Sequence, residues 1–353
     1  MRIWTIALFA ILSLPALGQQ PYFQQEVDYR IRVRLDDSSH MLSGDVGLTY
    51  TTHSPDTLAF IYFHLWGNAF RDRSTAFAKQ KLRTRSAVFY FAKDSNLGSY
   101  ESIDFLARGE TLSWSLDAQQ PGYRTGPAAR AAAAGCASRT GHSFVLKVPA
   151  SFSRLGHTGQ AYQFTQWYPK PAVYDREGWH PMPYLDMGEF YSEFGSFDVE
   201  ITLPANYVVG ATGVLETASE REFLEKKAAY TRQLMDVAPP QKEDNEAVAR
   251  KDTFPASSPE WKTIRYTAGR VHDFAWFADK RFFVLKGERP LGLRPKSRYL
   301  GPTSPTRKPG FGKTPSPTST AASALLRPAG EYPYPHASAV MSALSAGAEW
   351  NIP

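Results

Sequence analysis

The sequence predicts a mainly β protein, an antiparallel β-sandwich with one short helix, and three observations carry that prediction. Many short stretches alternate apolar and polar residues, the period of a strand with one face buried. Only one stretch has the composition of a helix, and runs of strands broken by a single helix argue for a sandwich and against alternating βαβ units. The 353 residues, 42% of them hydrophobic, suffice for two domains or for one large all-β domain with additions.

In chain order, Tyr29 to Asp36 (YRIRVRLD) alternates without a fault. Ser38-Ser39-His40 forms a turn, and Val46, Leu48 and Tyr50 alternate with Gly47, Thr49 and Thr51 to complete a hairpin. Leu58 to Trp66 is apolar on both faces and reads as a central strand covered on two sides. His64, alone within that run, reads as a hydrogen-bonded core histidine. Ile103, Phe105, Leu112 and Trp114 mark further strands. Phe144, Leu146 and Val148 alternate, as do Phe197, Val199, Ile201 and Leu203, and Val208-Val209 leads into the turn Gly210-Ala211-Thr212-Gly213. Glu220 to Val237, rich in Glu, Lys, Ala and Leu, is the helical stretch, with Phe223, Leu224, Tyr230 and Leu234 expected inside. Pro239-Pro240 stops it, a polar loop follows, and Ile264–Tyr266 and Phe274–Phe283 return to strand.

Arg2, the apolar run Ile3–Leu14 and the small residues Ala16-Leu17-Gly18 read as a secretory leader cleaved after residue 18. About 12 apolar residues are too few to span a bilayer, so the chain is expected to be exported, periplasmic or extracellular, with no membrane span after cleavage. The lone Cys136 excludes an intramolecular disulfide and a cysteine-based zinc finger.

Two segments break the strand pattern. Residues 121–142 (PGYRTGPAARAAAAGCASRTGH) have no strand period and carry three arginines without an acid. Residues 287–330 hold eight prolines and eight Lys/Arg against Glu288 alone. Both read either as flexible linkers or as stretches of shifted reading frame, because Ala, Arg, Pro and Gly dominate a wrong frame of GC-rich DNA. The abrupt return of strand-like sequence at Phe144 and Tyr332 favours the second. The net charge of +6 resides in these segments and leaves the remainder acidic, so nucleic acid is not an expected partner. The expected organisation is a leader (1–18), a β-sandwich domain (19–286), a Pro/Arg-rich segment (287–330) and a terminal stub (331–353).

The chemistry is sparse. None of the eight histidines belongs to an H-E-x-x-H pair, and there is no nucleophile elbow, P-loop or dinucleotide fingerprint. The densest aromatic stretch runs from Tyr162 to Phe197. Within it Asp175, Glu177 and His180 suggest a metal site but read better as turn and cap residues. Asp186, Glu189 and Glu193 could pair as carboxylates. Trp167, Tyr168, Tyr174, Trp179 and Tyr184 could form a platform for glycans or peptides if their faces are exposed.

Five segments carry a resemblance: YFQQEVDYRIRVRLDDSSHMLSG, SPDTLAFIYFHLWGNAF, FVLKVPASFSRLGHTGQAYQFTQWYPKPAVYDREGWHPMPY, EFGSFDVEITLPANYVVGATG and VHDFAWFADKRFFVLKG. Together they resemble the N-terminal domain of secreted aminopeptidase N-like zinc metallopeptidases, the gluzincin aminopeptidases, over most of residues 20–286 outside 121–142. The resemblance implies a saddle-shaped β-sandwich that walls one side of the active-site cleft of a thermolysin-like domain. That missing catalytic domain would carry the zinc, bound by H-E-x-x-H and a distal Glu. It further implies that Gln166, in Thr165-Gln166-Trp167, reaches the N-terminus of a peptide substrate. Where the family often has an acid two residues later, this chain has Tyr168. The end of the chain resembles the opening of the catalytic domain and its G-x-M-E-N strand: Gly347, Ala348 and Glu349 would then contact substrate, with Glu349 facing the substrate ammonium, although the methionine is absent and Trp350 precedes Asn351. The reading is therefore a non-catalytic substrate-cleft domain of an exported zinc aminopeptidase, truncated or frameshifted before the zinc site, with no cofactor of its own. The alternatives are a secreted binding module using the aromatic platform, or a structural β domain without a ligand.

Overall fold

The computed structural model describes residues 22–107, 110–116, 123–132, 137–188, 190–237, 254–291, 294–303, 336–341 and 349–352. The leader, Cys136, Glu189, Gly347 and Ala348 lie outside the described residues.

One layer is an eight-stranded sheet, in the order Val214–Leu215, Trp261–Val271, Gly195–Pro204, Glu26–Asp36, Met41–Thr51, Ala137–Lys147, Ser99–Ala107 and Glu110–Thr111. The expected alternation is realised in its central strand: Val27, Tyr29, Ile31, Val33 and Leu35 are buried while Arg30, Arg32 and Arg34 face out. The hairpin pairs from Glu26↔Thr51 to Asp36↔Met41. In this sheet one pair departs from the antiparallel expectation, because Glu26–Asp36 runs parallel to Gly195–Pro204; a second parallel pair, Arg294–Thr303 with His336–Met341, lies in another sheet. Long excursions separate Glu26–Asp36 from Gly195–Pro204 in sequence, so no tight turn dictates their relative direction. Gly195 is required where these two strands meet: a Cβ there would stand 1.7 Å from the Val27 carbonyl oxygen.

The facing layer consists of two four-stranded sheets. One is ordered Val208–Ala211, Trp276–Asp279, Ala161–Phe164, Leu155–Thr158, the other Lys170–Pro171, Leu58–His64, Tyr123–Ala132, Ser115–Leu116. Rings join the layers: Phe63 meets Phe105 at 4.7 Å, Tyr168 meets Tyr29 at 5.5 Å and Trp167 meets Phe144 at 6.3 Å. At ~1.5–3 kcal/mol for each large apolar side chain removed from water, a continuous core of this size stabilises the domain without a disulfide. Leu58–His64 is not covered on both sides as expected, since Phe60 is exposed on its outer face.

There are two α-helices, not one, among the described residues. α1 (Ala76–Arg83) is capped by Thr75, whose side chain accepts from the Ala78 N–H, the usual way to satisfy a free first-turn donor. Its eight residues contain only two buried positions, Phe77 and Ala78, so the sequence carries no sustained helical stripe. α2 (Ala218–Val237) is the expected helix with a different inner face. Glu220, Leu224, Ala228 and Thr231 are buried, whereas Tyr230 and Leu234 are exposed. The reason is an ion pair: Lys262 Nζ lies 2.8 Å from both Glu220 oxygens, which lets a carboxylate turn inward and rotates the larger side chains out.

The two segments expected to be irregular also contain strands. Tyr123–Ala132 pairs antiparallel with Leu58–His64, and Ala137–Lys147 continues along the whole of Met41–Thr51. Farther on, Phe283–Leu291, which crosses the expected boundary at 286, pairs with Arg294–Thr303 in a sheet completed by His336–Met341 and Glu349–Ile352. Strand pairing is made by backbone groups, so a neighbour with free N–H and C=O groups recruits a segment that has no side-chain alternation.

Candidate functional site

Two loops build the site. The first links Ala161–Phe164 to Lys170–Pro171, the second links Trp261–Val271 to Trp276–Asp279. They are pinned to one another by buried groups. The Trp167 indole is fully buried and donates to the Phe274 carbonyl at 2.9 Å, while the Trp167 carbonyl accepts from Tyr100 Oη at 2.9 Å. Between these anchors Gln166 adopts φ 51°, a left-handed backbone uncommon for a residue with a side chain. That conformation turns the Gln166 side chain toward the second loop.

Asp273 is the hub. Its Oδ2 accepts from Gln166 Nε2 at 3.2 Å, and its Oδ1 accepts from Tyr168 Oη and from the Phe274 N–H, each at 2.9 Å. Lys170 Nζ stands 3.5 Å from Oδ1 and donates to the His272 carbonyl. Burial pushes the Lys170 ammonium below its ordinary pKa, and the Asp273 carboxylate opposes that shift. Burial, then the Asp273 charge, pushes the Tyr168 phenol well above its ordinary value, so Tyr168 serves as a donor. A carboxylate only accepts, so the amide nitrogen of Gln166 must be the end that faces Asp273. The other end, Gln166 Oε1, is buried without a hydrogen-bond partner. An orphaned buried acceptor is costly, and here it is an acceptor beside a pinned loop junction.

The loop's neighbours add carboxylates and rings. Burial raises Glu193 to about 7, with the charge of Asp175 adding to it and Lys170 opposing it; Glu193 Oε1 accepts from the Gln25 N–H at 3.2 Å. Phe194 is half-exposed and its ring meets the edge of His272 at 5.9 Å. Burial, followed by the Lys170 charge, lowers the His272 pKa.

The other candidate residues have structural partners. His64 is buried, stacks on Trp66 at 4.4 Å and accepts from the Met182 N–H at 3.2 Å, the expected core histidine. Asp175 accepts from the Glu177 N–H at 2.8 Å and from His180 Nε2 at 2.6 Å, the expected turn. Asp186 pairs with Lys81 at 2.9 Å, away from the partner of Glu193, so these two acids do not form a carboxylate pair. The five-ring platform does not form as expected: Trp167, Tyr168 and Tyr184 are buried, while Tyr174 and Trp179 are partly buried and pack edge-on against each other at 5.1 Å. The faces of the three buried rings are occupied by protein, because closing two layers around so large a core uses the biggest side chains available. Glu349 begins the strand Glu349–Ile352, opposite Met341, in a sheet separate from the strands that flank Gln166.

Sequence reasoning missed Asp273 and Lys170. Asp273 does fall within VHDFAWF, one of the segments that carries the resemblance, and a charge pair set among aromatics was the available signal. Among the described residues no group of three or more His, Cys, Asp or Glu could hold a metal ion.

No protein-family model matches the chain, and no curated protein matches it. Solved structures do. The M1 zinc metallopeptidase from Deinococcus radiodurans is 15% identical with a TM-score of 0.47, the alignment covering 93% of this chain and 58% of that one. A mutant of the D. radiodurans enzyme bound to a Tyr-Ser-Ala substrate is 15% identical with a TM-score of 0.49, covering 92% and 58%. A two-domain M1 zinc metallopeptidase mutant bound to L-tryptophan is 14% identical with a TM-score of 0.49 and the same coverage. The chain thus spans about 58% of the length of the structures it matches. They are zinc metallopeptidases.

Proposed function

We propose that this chain is the substrate-cleft domain of an exported zinc aminopeptidase, and that it contributes peptide contacts while the metal chemistry belongs to a catalytic domain. The observation that carries the proposal is the state of Gln166. Its backbone is held left-handed, its nitrogen is committed to Asp273, and its oxygen is an acceptor without a donor. The ammonium group at the N-terminus of a peptide is a donor of the right kind, and Gln166 lies in the Thr165-Gln166-Trp167 segment to which the resemblance assigns that contact. The 353 residues contain no H-E-x-x-H, so the domain is assigned no hydrolytic step. Glu349 is proposed as a second contact to the same ammonium, and cleavage of the leader after Gly18 as the route of export.

The test is binding of short peptides to the full chain by calorimetry, comparing a free with an acetylated N-terminus. A hydrogen bond to a charged group is worth about 1.5–3 kcal/mol, so the free peptide should bind about tenfold to a hundredfold tighter. Gln166→Leu should remove the difference. Equal affinity for the two peptides in the unmodified protein would refute the assignment, and chelator-sensitive hydrolysis by the chain alone would refute its non-catalytic half. Export is checked by recovering secreted protein that begins at Gln19.

A further inference from the structure

The connection between Leu58–His64 and Ser99–Ala107 carries features that the substrate-cleft role does not use. Residues 71–93 contain seven Lys/Arg against Asp72 alone. Arg71, Arg73 and Lys81 are paired with Asp72, Asp94 and Asp186, while Lys79, Arg83, Arg85 and Lys93 are exposed and in no ion pair among the described residues. Amid these cations Phe91 is 79% exposed and Val88 71%, with Tyr90 and Leu82 also exposed.

These apolar tips are mounted on a fixed loop. Phe89 is fully buried against Phe77 and Phe152 at 5.0 and 4.9 Å. The Arg73 guanidinium staples the backbone from the other side, donating to the Tyr90 carbonyl at 2.9 Å and to the Ala92 carbonyl at 2.8 Å. Arg85, at φ 63°, turns the chain out of α1 so that the loop continues beside it. Gln80 then holds Met187, 64% exposed, next to the helix by donating to its carbonyl at 2.9 Å and accepting from its N–H at 3.0 Å. Single apolar side chains standing clear of a rigid, cationic surface suit the headgroup region of a bilayer: rings and aliphatic groups enter the acyl boundary while Lys and Arg stay at the phosphates. A protein partner would need pockets shaped to each projecting side chain.

We propose that α1 and the loop following it form a docking surface for a bilayer rich in anionic phospholipid headgroups. The test is flotation of the full chain with vesicles of phosphatidylcholine containing phosphatidylglycerol, against phosphatidylcholine alone. The unmodified chain should favour the anionic vesicles. The paired change Val88→Ser with Phe91→Ser, at positions too exposed to disturb the core, should lower partitioning about tenfold or more, and Lys79→Gln with Arg83→Gln should weaken the preference for anionic lipid. The leader is the same in every variant, so its own affinity for lipid cancels, and near-UV circular dichroism verifies the fold. No preference for anionic vesicles, or undiminished binding by the Val88/Phe91 variant, would overturn the proposal. Retention on polyglutamate without vesicle binding would overturn it too, and would assign the surface to an acidic protein.

Discussion

Replacing Asp273 by Asn tests whether one carboxylate organises the candidate site. The Lys170 side chain is only 3% exposed and that of Asp273 16%, with 3.5 Å between charges. At an effective dielectric of about 20 that separation corresponds to about 5 kcal/mol of attraction. The change removes the charge but not the volume, and Lys170 keeps its bond to the His272 carbonyl. Asp273 is partly solvated, so the loss should fall below the full Coulomb figure, at about 2–4 kcal/mol. The new amide can still accept from Tyr168 or Phe274, but its NH2 then confronts the NH2 of Gln166, two donors face to face. The Gln166 side chain should therefore leave its present orientation.

The assay is urea unfolding followed by tryptophan fluorescence, run as a double-mutant cycle with Lys170→Met. Lys170→Met alone should cost less, about 1–2 kcal/mol, because Asp273 retains three hydrogen bonds and some contact with water. The double variant should recover most of the loss, since it contains no isolated buried cation. Losses that simply add would show that the two charges act independently and would refute the reasoning. An unfolding midpoint unchanged in Asp273→Asn would do the same more directly.

Two further predictions concern pH. His142 is buried among Phe63, Phe105 and Phe144 with neither ring nitrogen bonded, and burial lowers its pKa to about 3. The unfolded chain takes up a proton below about pH 6.5 that the folded chain refuses, so stability falls as the pH drops. His142→Leu should therefore stabilise the protein by about 1–3 kcal/mol at pH 8 and by about 2 kcal/mol more at pH 5, read from urea midpoints; a destabilised variant would contradict the burial argument. Glu193 has the opposite sign. Its folded pKa is raised from 4.5 to about 7, so the folded state holds the proton through that window and loses stability as the pH rises across it. Glu193→Gln should flatten the fall between pH 5 and 8 by about 1–2 kcal/mol, and an unchanged pH profile would count against it.

How much could be read from sequence depended on whether the side chains carried the information. Glu26–Asp36 was legible because Val27, Tyr29, Ile31, Val33 and Leu35 alternate with exposed polar residues. Tyr123–Ala132 was not, because its alanines, glycine and arginines carry no alternation and its place is set by the neighbouring strand. The inner face of α2 was misread because apolarity favoured Tyr230 and Leu234, while Lys262, 42 residues from Glu220, made a buried carboxylate affordable. The same limit applied at the site. Gln166 could be picked from its motif, but its partner Asp273 lies 107 residues away, and only the fold brings the two loops together. The aromatic stretch was conspicuous as composition. What composition could not say is that Trp167, Tyr168 and Tyr184 are spent on the core.

The hub also bears on what kind of contact this domain makes. Where relatives that the sequence resembles often carry an acid, this chain has Tyr168, and Asp273 brings a carboxylate to the neighbourhood from another loop. Yet that carboxylate is already engaged: Tyr168, Phe274 and Gln166 donate to its oxygens, and Lys170 balances its charge. Its charge is already matched by Lys170, and a peptide ammonium would have to compete with that buried cation for it. What the loops leave without a partner is the neutral oxygen of Gln166. Under the proposed function the domain orients a peptide N-terminus by a hydrogen bond and leaves its charge to a carboxylate elsewhere, the role proposed for Glu349. On this reasoning Gln166→Leu weakens binding by no more than the worth of a hydrogen bond to a charged group, about 1.5–3 kcal/mol, whereas Asp273→Asn acts on binding only through the Gln166 side chain that it displaces.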